Sequence, residues 1–248
     1  MRVHRLIYRL DFQHPNFEII NSPGTVMKIL SEMGERYWPD FKDDSANRRV
    51  ITTNIDKDNG EFRQITVEPT ALIIAFESVE GVHIESLDTN ETLGTLFKGI
   101  QSVITTFGLN DIQRAGIRFS VLNSVGEKFQ KLNTVFSKMY ESQLQGIISD
   151  RLGSINDIGL AFDGESSDKL KYHCKLGPYS VSEAAKFFSA TTATKMEENG
   201  STANLIIDLD LFEEKFALTV NAHKWTKMPT RKANQLTSEI AAYVMQRI

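Results

Sequence analysis

The 248-residue chain carries one cysteine, Cys174, six prolines and no long apolar run; the longest stretches, such as Ala71–Phe76, hold only a few residues. A single cysteine excludes an internal disulfide framework and a cysteine-rich zinc site. No run approaches the roughly 20 apolar residues that a helix needs to cross a bilayer. The opening Met1-Arg-Val-His-Arg-Leu6 lacks the apolar core of a secretory leader. A cytoplasmic location with no membrane partner is expected. The glycines form no G-x-x-x-x-G-K-[ST], G-x-G-x-x-G or G-x-S-x-G pattern, so no phosphate loop or nucleophile elbow is written in the chain. His4, His14, His83, His173 and His223 are scattered, and no two stand three or four residues apart, which excludes a helical zinc pair.

What is present is a balanced globular composition, 41% hydrophobic and 24% charged, with a formal net charge of −4. The excess acid lies in residues 1–124, with 13 Lys+Arg against 17 Asp+Glu, whereas residues 125–248 hold 15 of each. Neither half has the basic charge of a nucleic-acid domain. The local exception is Lys224, Lys227, Arg231 and Lys232, nine residues without an acid. It could touch phosphates, or be a solvated loop leading into a helix.

Two hydrophobic periods alternate. Ser22-Pro23 opens a helix with Val26, Ile29, Leu30, Met33 and Tyr37 on one face. Asp88-x-x-Glu91 reads as a capping box for a helix stopped by Gly108; Ser124-x-x-Glu127 and Ser180-x-x-Glu183 read as two more. A last helix carries Leu236, Ile240, Val244 and Ile248. Gly94 and Gly99, inside the second helix, suggest close packing against a neighbour.

Strands alternate with period 2. Leu6, Tyr8, Leu10 and Phe12 oppose Arg5, Ile7, Arg9 and Asp11, and Ala115, Ile117, Phe119 and Val121 oppose Arg114, Gly116, Arg118 and Ser120. Arg48–Ile55 and Phe62–Glu68 flank Asp58-Asn-Gly60, a hairpin signal, and Leu72–Glu77 follows. Asp157–Phe162 and Lys169–Leu176 form a second hairpin, Asn204–Phe212 a further strand and Phe216–Ala222 a candidate partner for it. Asp40–Ala46 reads as a turn. One apolar and one polar face per strand belongs to antiparallel sheets covered by helices on one side, so the fold class is α+β. The pattern allows two related sheet-and-helix halves, 1–124 with an antiparallel sheet and 125–248 with an antiparallel sheet and a C-terminal helix. The two can also pack as one domain, and no repeat is visible at the level of residues.

Three stretches resemble a sporadically distributed bacterial family of about this length, itself functionally uncharacterised. They are Val3–Phe12, Arg114–Phe119 (similar to that family's R-x-G-[IL]-R-[YF] strand signature) and Leu205–Leu211 before a helical carboxyl terminus. The chain departs from the pattern at Ser120–Asn123. The resemblance implies an α+β fold and an occurrence of mobile-element or defence type. It supplies no activity and no catalytic residues.

Chemistry concentrates in two places. Asp208 and Asp210 stand two apart on a strand, roughly 7 Å from each other on one face. They could hold Mg²⁺ with a third ligand and a phosphate, or be the solvent face of an amphipathic strand. Arg5, Arg9, Arg114 and Arg118 form two pairs, each four residues apart on a strand and opposite an apolar row. If the strands are neighbours, four guanidiniums share one surface. They could take an anion or a partner's acidic segment, or pair internally with Asp11, Glu68 or Glu77. His173 and Cys174, adjacent on a strand, face opposite ways and make no nucleophilic pair; Cys174 reads as core.

The sequence therefore favours a non-enzymatic binding or regulatory module, with no catalytic residue and no cofactor, whose partner is another protein. The alternative is a metal-dependent enzyme acting on a phosphorylated or nucleic-acid substrate, with Mg²⁺ on Asp208 and Asp210. No motif encodes the oligomeric state.

Overall fold

A computed structural model describes residues 1–33, 40–44, 48–126, 129–139, 158–199, 203–214 and 222–248, with 146, 148, 150 and 151 between. The strands are β1 (Arg2–Phe12), β2 (Asp40–Asp44), β3 (Arg49–Asp56), β4 (Glu61–Val67), β5 (Ala71–His83), β6 (Ile112–Ser124), β7 (Leu160–Glu165), β8 (Lys171–Ser180) and β9 (Ala203–Glu214). The helices are α1 (Phe17–Asn21), α2 (Pro23–Ser31), α3 (Glu91–Thr106), α4 (Phe129–Lys138), α5 (Ala184–Phe187), α6 (Ala190–Glu198) and α7 (Ala222–Met245).

These nine strands join one antiparallel sheet in the order β2-β3-β4-β5-β1-β6-β9-β8-β7. Residues 1–124 and 125–248 thus share a single sheet, with β6 paired to β1 on one side and β9 on the other. The class is α+β. The connectivity echoes itself about the central β1·β6 pair. β1 leads into helices, a meander returns through β5 to its free side, and α3 follows. β6 leads into α4, the chain returns through β7, β8 and β9 to its free side, and α7 follows. Val3–Phe12, Arg114–Phe119 and Leu205–Leu211 fall on the adjacent strands β1, β6 and β9.

Alternation decides which face is which. Leu6, Tyr8 and Leu10 of β1, Ile117 and Phe119 of β6, and Leu205, Ile207 and Leu209 of β9 are buried under the helices. Tyr8 sits at the junction: its ring meets Phe97 of α3 edge-on at 5.0 Å and Trp225 of α7 at 6.1 Å. Leu93, Leu96, Phe97, Ile100, Val103 and Ile104 form the buried stripe of α3. Gly99 lets the helix approach Met33, whose Cε would lie 2.8 Å from an added Cβ, whereas Gly94 faces open space. Packing explains the first glycine and not the second.

Several local expectations shift. The capping box at Asp88 does not start α3: Ile84–Thr89 is a 3-10 turn, and the Asn90 side chain caps the helix by accepting from Leu93 N. Ser124 ends β6 instead of capping α4, and Glu127 and Tyr140 lie outside the described residues, as does Tyr37. Glu183 reaches back to accept from Ser180 N at 3.2 Å, as the third box requires, although a 3-10 turn intervenes before α5. Asp40–Asp44 is the edge strand β2 and not a turn. Residues 216–221 of the expected last strand lie outside the described residues. The basic run Lys224–Lys232 is not a loop but part of α7, which accommodates Pro229. The described helices include none long and apolar enough to cross a membrane.

Helices do not keep to one face. α5 and α6, placed between β8 and β9, lie on the second face, where Ala184, Phe188, Ala193 and Met196 pack on Leu122, Tyr179 and Ile206. A small apolar layer therefore covers one end of the face that carries the arginines.

Candidate functional site

Strand pairing sets Arg5 opposite Ser120, Ile7 opposite Arg118, Arg9 opposite Gly116 and Asp11 opposite Arg114. All four arginines consequently project from neighbouring strands onto one face. On the far side of β6, Arg118 is opposite Asp210 and Ser120 is opposite Asp208. The two aspartates thus share the arginine face.

The ions are mutually engaged. Arg118 Nε lies 2.9 Å from Asp208 Oδ1 and 3.1 Å from Oδ2, and its Nη2 also donates to Oδ2. Ser120 Oγ donates to the same carboxylate at 3.0 Å. Arg114 reaches Asp210 at 2.9 Å and Asp11 at 3.5 Å, with its guanidinium 4.4 Å from the centre of the Phe212 ring. Arg9 Nε donates to Asp11 at 2.6 Å. Arg5 stands 3.4 Å from Glu77 and donates to the Phe187 carbonyl, while Ser189 N donates to Glu77 at 2.8 Å. These last bonds tie the α5–α6 layer to the ionic face. Glu68, the other carboxylate expected among the arginines, lies 3.9 Å from Arg49 instead.

Gly116 has a place in this lattice. A Cβ there would meet Arg114 Nη1 at 3.1 Å, so the absent side chain leaves the surface over which the guanidinium lies. The R-x-G-x-R spacing thus sets out two cations with room between them for one to reach sideways.

Electrostatics follow the contacts. The hydrogen bonds from Arg118 to Asp208 hold the guanidinium above its ordinary value, outweighing desolvation. Burial lowers Arg5 despite Glu77. Burial raises the Asp210 carboxyl even with Arg114 beside it. Four arginines face Asp11, Glu77, Asp208 and Asp210, so the set needs no external anion for neutrality. Asp208, with a side chain only 2% exposed, is closed in by Arg118 and Ser120. Its carboxylate is a counter-ion here, and the arrangement gives Asp208 and Asp210 a role other than holding Mg²⁺. Among the described residues no group of three or more His, Cys, Asp or Glu is placed to hold a metal ion.

Cys174 is buried beside the core and its thiol is pushed up to about 11 by burial. His173, on the other face, bonds Asp163. In the basic run, Lys232 pairs with Asp168 at 2.5 Å.

A second feature was not legible as a site in the sequence. A groove of about 850 Å³ lies between α7 and the helix-side face of β7, β8 and β9. Met139, Phe162, Leu236 and Tyr243 are exposed around it, leaving Phe17 and Ile55 as the other exposed large hydrophobics among the described residues. The stripe Leu236, Ile240 and Val244 reads as core by periodicity, and only Val244 is fully buried. The tertiary position of α7, which no local pattern encodes, opens the groove. No protein-family model matches the chain, and none of the curated proteins matches it.

Proposed function

We propose that the chain is a non-enzymatic binding module whose partner is another protein, and that the partner adds an extended segment to β7. The observation that supports this reading is the gathering of Met139, Phe162, Leu236 and Tyr243 around one groove. Exposed apolar side chains concentrated in one place mark binding surfaces. β7 is the last strand of the sheet among the described residues, and no described strand pairs with its outer edge, where a further strand can add.

Side-chain chemistry defines the segment. Leu160 and Phe162 of β7 border the groove, while the exposed Asp163 and Glu165 alternate away from Phe162. The complementary segment alternates apolar residues, which enter the groove, with basic residues, which meet the two carboxylates.

A labelled ten-residue peptide alternating Leu or Val with Lys tests the reading by fluorescence anisotropy. Saturable binding to the wild type, weakened about tenfold in Phe162→Asp and in Tyr243→Asp with folding intact by circular dichroism, is expected. Equal binding to wild type and variants, or no binding, would discard it. An equally strong complex with a peptide carrying Glu in place of Lys would discard the charge assignment.

A further inference from the structure

A separate recess of about 450 Å³ lies at the end of the sheet where β1 begins, β5, β6 and β8 end and β9 begins. Its wall is unusual in what it leaves unpaired. Tyr179 is 1% exposed and Asn204 4% exposed, and neither the Tyr179 hydroxyl nor the Asn204 Nδ2 has a hydrogen-bond partner. His4 Nδ1 is a third buried polar atom without one. All three residues line the recess. Tyr179 and Asn204 are cross-strand partners, and Asn204 is in turn opposite Ser124, another lining residue.

Buried donors and acceptors are nearly always satisfied, because removing one from water without a partner is costly. Three in the wall of one recess ask for a common partner. Asn204 Nδ2 can only donate, the hydroxyl can do either, and a neutral imidazole nitrogen without hydrogen accepts. Asn204 therefore asks the partner for an acceptor, while the hydroxyl and the imidazole nitrogen fit either an acceptor or a donor.

The remaining lining narrows the class. Asn123 and Asn199 add two further amides at the rim. Arg2 and Glu80 contribute one side-chain charge of each sign, and Arg2 Nη1 already donates to the Glu80 and Gly81 carbonyls at 2.9 and 3.0 Å. These side chains leave no net charge to select an ion. Val79, Leu122 and Met196 supply apolar surface. Apolar walls with amide and hydroxyl groups at the edge suit an uncharged flat heterocycle, and Asn amides pair well with the edge of a purine. We infer that this recess binds a nucleobase, free or as its nucleoside, whose edge satisfies Asn204, Tyr179 and His4. The site lies on the opposite face of the sheet from the groove under α7 and does not depend on it.

Isothermal titration of the full chain with adenosine, guanosine, cytidine, uridine and their free bases, with ribose as a control, tests the inference. Saturable binding of at least one base or nucleoside and none of ribose is expected. Tyr179→Phe and Asn204→Ser should each weaken it about tenfold. Without ligand, Tyr179→Phe should melt no lower than wild type, because it removes an unpaired polar atom and little volume. Absence of saturable binding, binding of ribose as strong as that of the nucleosides, or affinity unchanged in both variants would overturn the inference. So would a Tyr179→Phe protein that melts lower, since that result assigns the hydroxyl to structural water.

Discussion

Arg118 of β6 grips Asp208 of β9 through two of its nitrogens, with Nε 2.9 and 3.1 Å from the two carboxylate oxygens. The pair ties adjacent strands on the sheet's polar face, and Ser120 supplies the same carboxylate with a further donor. The two partners differ in environment: Asp208 is enclosed, whereas Arg118 keeps a partly exposed side chain.

That asymmetry predicts unequal mutational costs. Arg118→Ala leaves a buried carboxylate with one hydroxyl donor, and should cost about 3 kcal/mol, the low end for breaking a buried pair. Asp208→Ala leaves a guanidinium that can turn to water, and should cost about 1–2 kcal/mol. Arg9→Ala, at an exposed pair with Asp11, should cost less than about 1 kcal/mol. Urea denaturation of the three variants measures the order. An Arg9→Ala loss equal to that of Arg118→Ala would show that burial does not govern this lattice.

Phe136 tests the helix-covered core. It is fully buried on α4, with Leu132 on the same stripe. Phe136→Ala should destabilise by about 3–5 kcal/mol, the range for deleting a buried aromatic ring. A loss below about 1 kcal/mol in denaturant melts would place this ring at a yielding surface.

Period-2 patterning made β1 and β6 legible, because each has an apolar row that must face a core. It also put the arginines on the other row. It could not say that β1 and β6 are neighbours, since pairing between strands about 110 residues apart is a property of the whole chain. The role of Asp208 and Asp210 was hidden for the same reason: two carboxylates on one face look alike whether they await a metal or meet arginines from the next strand. Short signals misled where a better local solution existed, as at Asn90, whose side chain caps α3 in place of Asp88. Strand β2, with Lys42 between acids, carries no apolar row and so no pattern from which to read it. The recess at Tyr179 and Asn204 had no sequence sign, because its residues come from separate strand ends and from the end of α6.

Cys174 should be chemically quiet. Burial pushes its thiol up to about 11, and Asp208 adds to the shift. At pH 8 the thiolate fraction is then small, and the side chain is buried at the floor of the groove under α7. A chromogenic disulfide reagent should react with the unfolded protein within minutes and with the native protein far more slowly. Immediate stoichiometric reaction of the native protein would contradict the burial of this residue.

His4 should make stability fall as the solution is acidified through neutrality. Burial is the largest influence on its ring and lowers its pKa from 6.5; Arg2 lowers it further, while Glu80 and the backbone of Val79 and Ser78 oppose the shift. Between the lowered native value and 6.5 the unfolded chain binds more protons at this site than the folded one. The contribution is therefore fully present above 6.5, declines as pH drops below it, and stops changing below the native value. Its slope can reach at most about 1.4 kcal/mol per pH unit. The difference between wild type and His4→Gln isolates this contribution from every other group that binds protons. Denaturant melts from pH 7.5 to 5 should show wild type losing stability relative to His4→Gln as pH falls. A constant difference across that range would mean that the ring is protonated as readily in the folded protein as in the unfolded chain.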